Sequence, residues 1–407
     1  MSRVRDYMRV AYPLASSGLL AWMWLAVIQQ FLGAMLPRLG HFGASGLRIN
    51  DRPCECPQCD FSGFWPAGLL ARAHRLNDLF DPAAFLAFRH AVFSPAAELV
   101  RWFYPPTTLL PVAAISYLAF EPAFWVWSAS FTAACVAMLR YGRLSGWVVT
   151  ATLLSPAALW NLELGQFGVL MGGVLAAGLM LVERSPWSGG AVLGLLVFKP
   201  QYGLLVPFAL LARGNWRAVS ACGAVAAGII ALVTLLFGTE IWSIYFRTGS
   251  AVSRQVLELA PNGFNYEKFG VSIFWMLRSF GAGIKLAYAA QGLSTLLAAV
   301  GVWMVWRDRG YDVATRMALT VFLSLLATPY GYTDDMVAWS VALAALAERR
   351  GWRIGLLDAL FWLWPMLCPI VTVRTGVLFT PAVVMLALLR AALRARAAVL
   401  PPRPTGA

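Results

Sequence analysis

Long apolar runs recur through this chain, at residues 14 to 36, 145 to 161, 167 to 182, 218 to 237, 286 to 306, 312 to 328, 336 to 348, 353 to 370 and 377 to 394. A helix needs ~20 apolar residues to cross a bilayer, and only structures that satisfy every backbone hydrogen bond internally survive in lipid. Runs of this length are too long for barrel strands, so the chain must fold as a bundle of helices. Composition agrees: 60% of residues are hydrophobic, 13% are charged, and the mean hydropathy is +0.67, outside the range of soluble domains. The expected class is an all-α integral membrane protein with about ten to twelve transmembrane helices. One domain fills residues 1–400, and the tail 401–407, PPRPTGA, reads as a disordered cytoplasmic segment.

The net charge of +13 does not indicate nucleic acid, because the basic residues sit at helix ends rather than in a dense block interleaved with aromatics. They serve topology instead. Arg3, Arg5 and Arg9 place the N-terminus in the cytoplasm, and the apolar run after them is too long for a cleaved signal peptide. The first outer loop then spans residues 37–104 and the second 238–283, with both termini cytoplasmic in a multi-pass plasma (inner) membrane protein. Residues 106 to 139 are expected to cross once, kinked near Glu121-Pro122. Residues 188 to 198 and 202 to 212 are each about half a span, and the break at Lys199-Pro200 between them predicts a broken hairpin.

The outer loops hold the chemistry-bearing residues. Asp60 follows a cysteine cluster, Cys54, Cys56 and Cys59, and is surrounded by aromatics in CDFSGFWPAGLL. Outside the membrane thiols oxidise, so a disulfide among the three cysteines is one reading; their pairing stays open, and a metal knuckle lacks a second ligand pair. Cys135, Cys222 and Cys368 fall in apolar runs and read as packing. Asp60 itself has a bland alternative, the cap of a helix. Lys199, at a break between half-helices, is where an intramembrane cation has a function; its alternative is snorkelling. Gln166 after Gly165, Tyr104 before Pro105-Pro106, and Asp334-Asp335 in TPYGYTDDM lie at predicted outer helix ends.

Taken in order, Asp60-Phe61, Phe64-Trp65, Ala67-Gly68, Leu79-Phe80-Asp81-Pro82, Tyr104-Pro105-Pro106, Gly165-Gln166, Gly194, Lys199-Pro200, Ala327-Thr328-Pro329-Tyr330 and Asp335 resemble the polyprenol-phosphate-mannose-dependent mannosyltransferase-like proteins of glycosyltransferase family 87, in the GT-C superfamily. The resemblance covers about residues 58 to 345 and rests on order more than on any one motif. It implies a GT-C fold, a polyprenyl-phosphate-linked sugar as donor with mannose preferred, a lipid or glycan hydroxyl as acceptor, and inversion at the outer face.

Asp60 matches the family's catalytic base, a role in which a carboxylate accepts the acceptor's hydroxyl proton. The lipid phosphate leaves without protonation, so a second acid is not required as it is in glycoside hydrolysis. The departing charge calls for preorganised donors, and the candidates for binding donor phosphate and sugar are Lys199, Gln166, Tyr104, Asp335, Tyr330, Arg75 and Lys268. No cofactor is called for; a divalent cation between Asp60, Asp81 and Asp335 is left open. One departure is that no histidine follows His90, where the mycobacterial members carry histidines beside this last aspartate. The competing class is a multi-pass transporter or flippase, disfavoured by the lack of an inverted repeat.

Overall fold

The computed structural model describes residues 60–93, 100–258 and 269–399, with a few positions between 18 and 29. Cys54, Cys56, Cys59, Lys268, most of the expected first span and the tail 401–407 lie outside the described residues. Among the described residues the fold is all helical, with one isolated bridge between Gly270 and Tyr332. Four helices are long and apolar enough to cross a bilayer: Phe120–Tyr141, Trp216–Phe237, Ile284–Arg307 and Leu356–Thr375. Five shorter apolar helices pack with them, and the whole is an all-helical integral membrane protein.

Local chemistry sets the boundaries. Ser145, Ser155, Asn215, Ser272 and Asp312 each cap a helix by accepting from a backbone N–H three residues on, satisfying donors that a helix start leaves open. Gly165, at φ 69, ends Pro156–Leu164 in the left-handed conformation that glycine adopts without strain. The predicted break is present: Pro186–Gly194 tightens into Leu195–Phe198, Lys199 leaves the helical conformation, and Pro200–Gly203 leads to Val206–Ala212. Its two limbs return to one end of the bundle, where Arg213 bonds Glu183 at 2.8 Å.

Two expectations are corrected. The stretch from 106 to 139 is not one kinked crossing. It forms a short helical segment, Pro106–Ile115, and, after a turn at residues 116–119, the long helix Phe120–Tyr141. Pro122 sits in the first turn of that helix, where its missing N–H would have had no partner, so nothing bends there. The first outer loop is also not simply polar. It contains Phe61–Arg72, Leu76–Phe80 and Pro82–Val92, and Phe61, Phe64 and Leu70 are fully buried. Gly68 lets the first of these lie directly on Val112 of the next segment, since a Cβ there would fall 2.0 Å from the Val112 carbonyl oxygen.

The bundle has two unlike ends. Arg213, Arg316, Arg349, Arg350 and Arg390 gather at one, cross-tied by Glu183, Asp312 and Asp358, and Arg140 and Arg184 donate there to the Leu144 and Tyr141 carbonyls. At the other end the central helices stop short. Gly168–Leu181 and Val313–Ala327 have 14 and 15 residues, or roughly 21 to 22 Å of helix against a hydrocarbon core of ~30 Å. Gly168–Leu181 is buried along nearly all its length, so its start lies within the bundle. The Trp127 indole donates to the Gly165 carbonyl at 2.9 Å, from roughly 10 Å inside the Phe120–Tyr141 helix. The floor of that end is therefore recessed.

Candidate active site

Four chain segments converge on this recess. Asp60 precedes Phe61–Arg72, and its side chain makes no capping bond to that helix. The bland reading of Asp60 as a cap therefore fails, and the carboxylate is left free to be held from outside: Gln166 Nε2 donates to its Oδ2 at 3.0 Å. The same nitrogen donates to the Tyr104 hydroxyl at 2.8 Å, so one amide positions both groups. Gln166 is in turn fixed by its backbone N–H, which donates to the Asn161 carbonyl at 3.0 Å.

An aromatic wall encloses the carboxylate. Phe61 and Phe64 pack against Trp127, and Phe64 meets Trp102, Tyr104 and Phe167 edge-on. Removing water from a carboxylate disfavours its charged form, and burial holds the Asp60 carboxyl above its ordinary value, opposed by the bond from Gln166 and the nearby charge of Lys199.

On the far side of the recess, Lys199 is 3% exposed and ion-paired to Asp335, with Asp334 Oδ2 at 3.5 Å. Tyr202 donates to the Asp335 carboxylate at 3.1 Å, and Asp335 Oδ2 accepts from the Tyr332 N–H at 3.2 Å. Asn161 binds across the floor, donating from its side chain to the Asp334 carbonyl at 3.1 Å and accepting from Val169 N–H at 3.1 Å. Gly168 makes this approach feasible: a Cβ there would sit 2.6 Å from both Asn161 Nδ2 and the Asp334 carbonyl oxygen. The Thr107 and Thr108 hydroxyls donate to the Val197 and Phe198 carbonyls, tying the tip of the broken hairpin to the segment after Tyr104. Carbonyls freed by the break are thus satisfied, as a membrane fold demands.

The recess thus brings together Asp60, Gln166, Tyr104, Lys199 and Asp335. It does not include Arg75, whose half-exposed side chain bonds Asp78 at 2.7 Å, nor Tyr330, which lies beside Ser253 and Arg254 of the second outer loop. Lys268 and the three loop cysteines are outside the described residues. Asp81 is taken up as the cap of Pro82–Val92, so the trio considered for a cation is not assembled, and no metal-binding cluster occurs among the described residues. Trp65, Trp242 and Trp275 serve structure: the first two donate to Leu118 and Thr234, and the third is buried. Cys135 and Cys368 are buried and take part in no disulfide among the described residues.

Sequence reasoning did not single out Asn161 or Tyr202, although Asn161 opens the NLELGQFG turn and Tyr202 follows Lys199-Pro200. A polar residue within three or four positions of a helix break was the available signal.

A many-helix membrane protein with a recessed, acid-lined site opposite its basic end is the class that this geometry defines. The sequence model of glycosyltransferase family 87 matches residues 102–329. That is more than half of the chain, which belongs to this family and is a glycosyltransferase; the transporter reading loses its ground. The matched region takes in Tyr104, Gln166 and Lys199 but neither Asp60 nor Asp335. Comparisons with curated proteins and with solved structures found no match.

Proposed function

We propose that this glycosyltransferase moves a sugar, mannose by preference, from a polyprenyl-phosphate carrier to a hydroxyl of a lipid or glycan acceptor at the outer face of the plasma membrane. It does so with inversion in a GT-C type fold. The single observation that carries the reading is the Asp60 carboxylate, held by Gln166 in an aromatic-walled recess rather than spent on a helix cap.

In this reading the acceptor oxygen attacks the anomeric carbon as Asp60 takes up its proton, and the carrier phosphate departs with the electrons of the broken bond. A raised carboxyl is the stronger base, suited to a site near neutrality. In this reading the recess faces the extracytoplasmic side, which the basic turns at the opposite end of the bundle support. The long isoprenoid would stay in the bilayer while its phosphate-sugar head enters the recess. Lys199 has its charge balanced by Asp334 and Asp335, so it acts on the donor phosphate only by exchanging one of these partners. Otherwise Asp335, Gln166 and Tyr104 contact the sugar. No cofactor is assigned.

The test is transfer by purified protein supplied with radiolabelled polyprenyl-phosphate sugars and a cell lipid extract. A mannose-labelled product formed by the native chain and lost with Asp60→Asn is expected. Undiminished transfer by the variant overturns the role of Asp60, and labelling only from a nucleotide sugar overturns the donor.

A further inference from the structure

At the basic end, away from the Asp60 recess, a cavity of about 350 Å³ opens between three helices. Thr150 and Ala151 of Gly146–Leu153, Leu343 and Ala347 of Val337–Arg349, and Trp362 of Leu356–Thr375 form its walls. Its size falls in the range of small-molecule sites, and its walls are mostly apolar. Trp147, at its rim, is 73% exposed, the position an indole takes at a membrane interface.

Cationic charge exceeds anionic charge at the mouth. Arg350, Arg390 and Arg394 all converge on the one carboxylate of Asp358, and Arg353 stands exposed in the same turn. Arg390 keeps a buried Nη1 with no hydrogen-bond partner, a donor that a protein normally satisfies. The turn is strained as well. Trp352, another lining residue, has φ 57, in the left-handed region that a large side chain rarely occupies. Such strain persists where the surroundings hold it in place, often around a ligand.

An apolar slot with surplus arginines at its mouth, at the end of the bundle that the basic turns assign to the cytoplasm, fits one class of molecule. A free phosphate has no use for the slot, and a zwitterionic lipid none for the surplus charge. We propose that this cavity binds an anionic phospholipid from the cytoplasmic leaflet, with an acyl chain between the three helices and its phosphate against Arg353 and the arginines around Asp358. Basic pockets between membrane helices bind such headgroups. The site is separate from the sugar-transfer recess and does not depend on the donor assigned above.

Native mass spectrometry of the full chain in detergent tests this, with phosphatidylglycerol and phosphatidylcholine of identical acyl chains as probes and inorganic phosphate as competitor. The native chain should retain phosphatidylglycerol about fivefold better, the preference that one surface arginine supplies. Arg353→Gln, a change at an exposed side chain, should remove the preference, and Ala347→Phe, which fills the slot, should reduce retention of both lipids. Equal retention of the two lipids by the native chain overturns the proposal, as does an Arg353→Gln variant that keeps the preference. Displacement of the lipid by inorganic phosphate alone also overturns it, in favour of a simple anion site. If Ala347→Phe does not fold, the two lipids and Arg353→Gln still decide the matter.

Discussion

Gln166 donates its side-chain amide to the Asp60 carboxylate at 3.0 Å, joining two residues 106 positions apart in the chain. The bond fixes which carboxylate oxygen is occupied and leaves Oδ1 without a hydrogen-bond partner among the described residues. Replacing Asp60 by Asn keeps the shape and removes the basicity. Transfer should fall by about 10²- to 10⁴-fold, the usual contribution of a general base, while the melting temperature in detergent stays close to that of the native chain.

Burial holds the Asp60 carboxyl above its ordinary value of 3.8. A base works only when deprotonated, so activity is present above the folded pKa and lost as pH falls through it. The acid limb of kcat/KM should therefore lie at higher pH than an exposed aspartate would give. Gln166 opposes this shift, so Gln166→Leu should move the limb further up. A limb that stays in place would separate Gln166 from the base.

Lys199 and its two aspartates test the balance of buried charge. Lys199→Met leaves Asp334 and Asp335 unpaired and should cost about 3–5 kcal/mol, read as a large drop in melting temperature. Adding Asp335→Asn should restore part of it, because the stranded charge is then removed. Additive losses in the double variant would show that the pair does not act as a unit.

Gly168→Ala places a methyl 2.6 Å from Asn161 Nδ2 and from the Asp334 carbonyl. Overpacking of this kind costs about 1–3 kcal/mol. Thermal melting should show it, and the displaced Asp334-Asp335 turn should depress transfer beyond the loss of folded protein.

Arg75→Gln is the contrasting case. The side chain is 52% exposed and bonded to Asp78, and exposed pairs contribute only ~0–1 kcal/mol. Both melting temperature and transfer should be nearly unchanged. A marked loss of transfer with normal stability would return Arg75 to the site.

The helical class, the basic turns and the broken hairpin at Lys199-Pro200 were legible in the sequence. Each follows from local composition: apolar run length, arginines at the ends of apolar runs, a proline after a cation. Gln166, Tyr104, Lys199 and Asp335 could be nominated because each stands at a helix end or break, and Asp60 from its place among aromatics in the first outer loop and from the family resemblance. The chain alone did not reveal that Phe61–Arg72 is buried, that residues 106–139 divide in two, or that Asp81 caps a helix while Asp60 does not. Nor could it show that Lys199 is matched with Asp335 and Arg75 with Asp78. Those outcomes depend on how deeply short central helices sit beside long ones and on close approaches at Gly68 and Gly168. Contacts between segments a hundred residues apart form only when the bundle packs, because a side chain's partners are set by neighbouring helices and not by its own stretch of sequence.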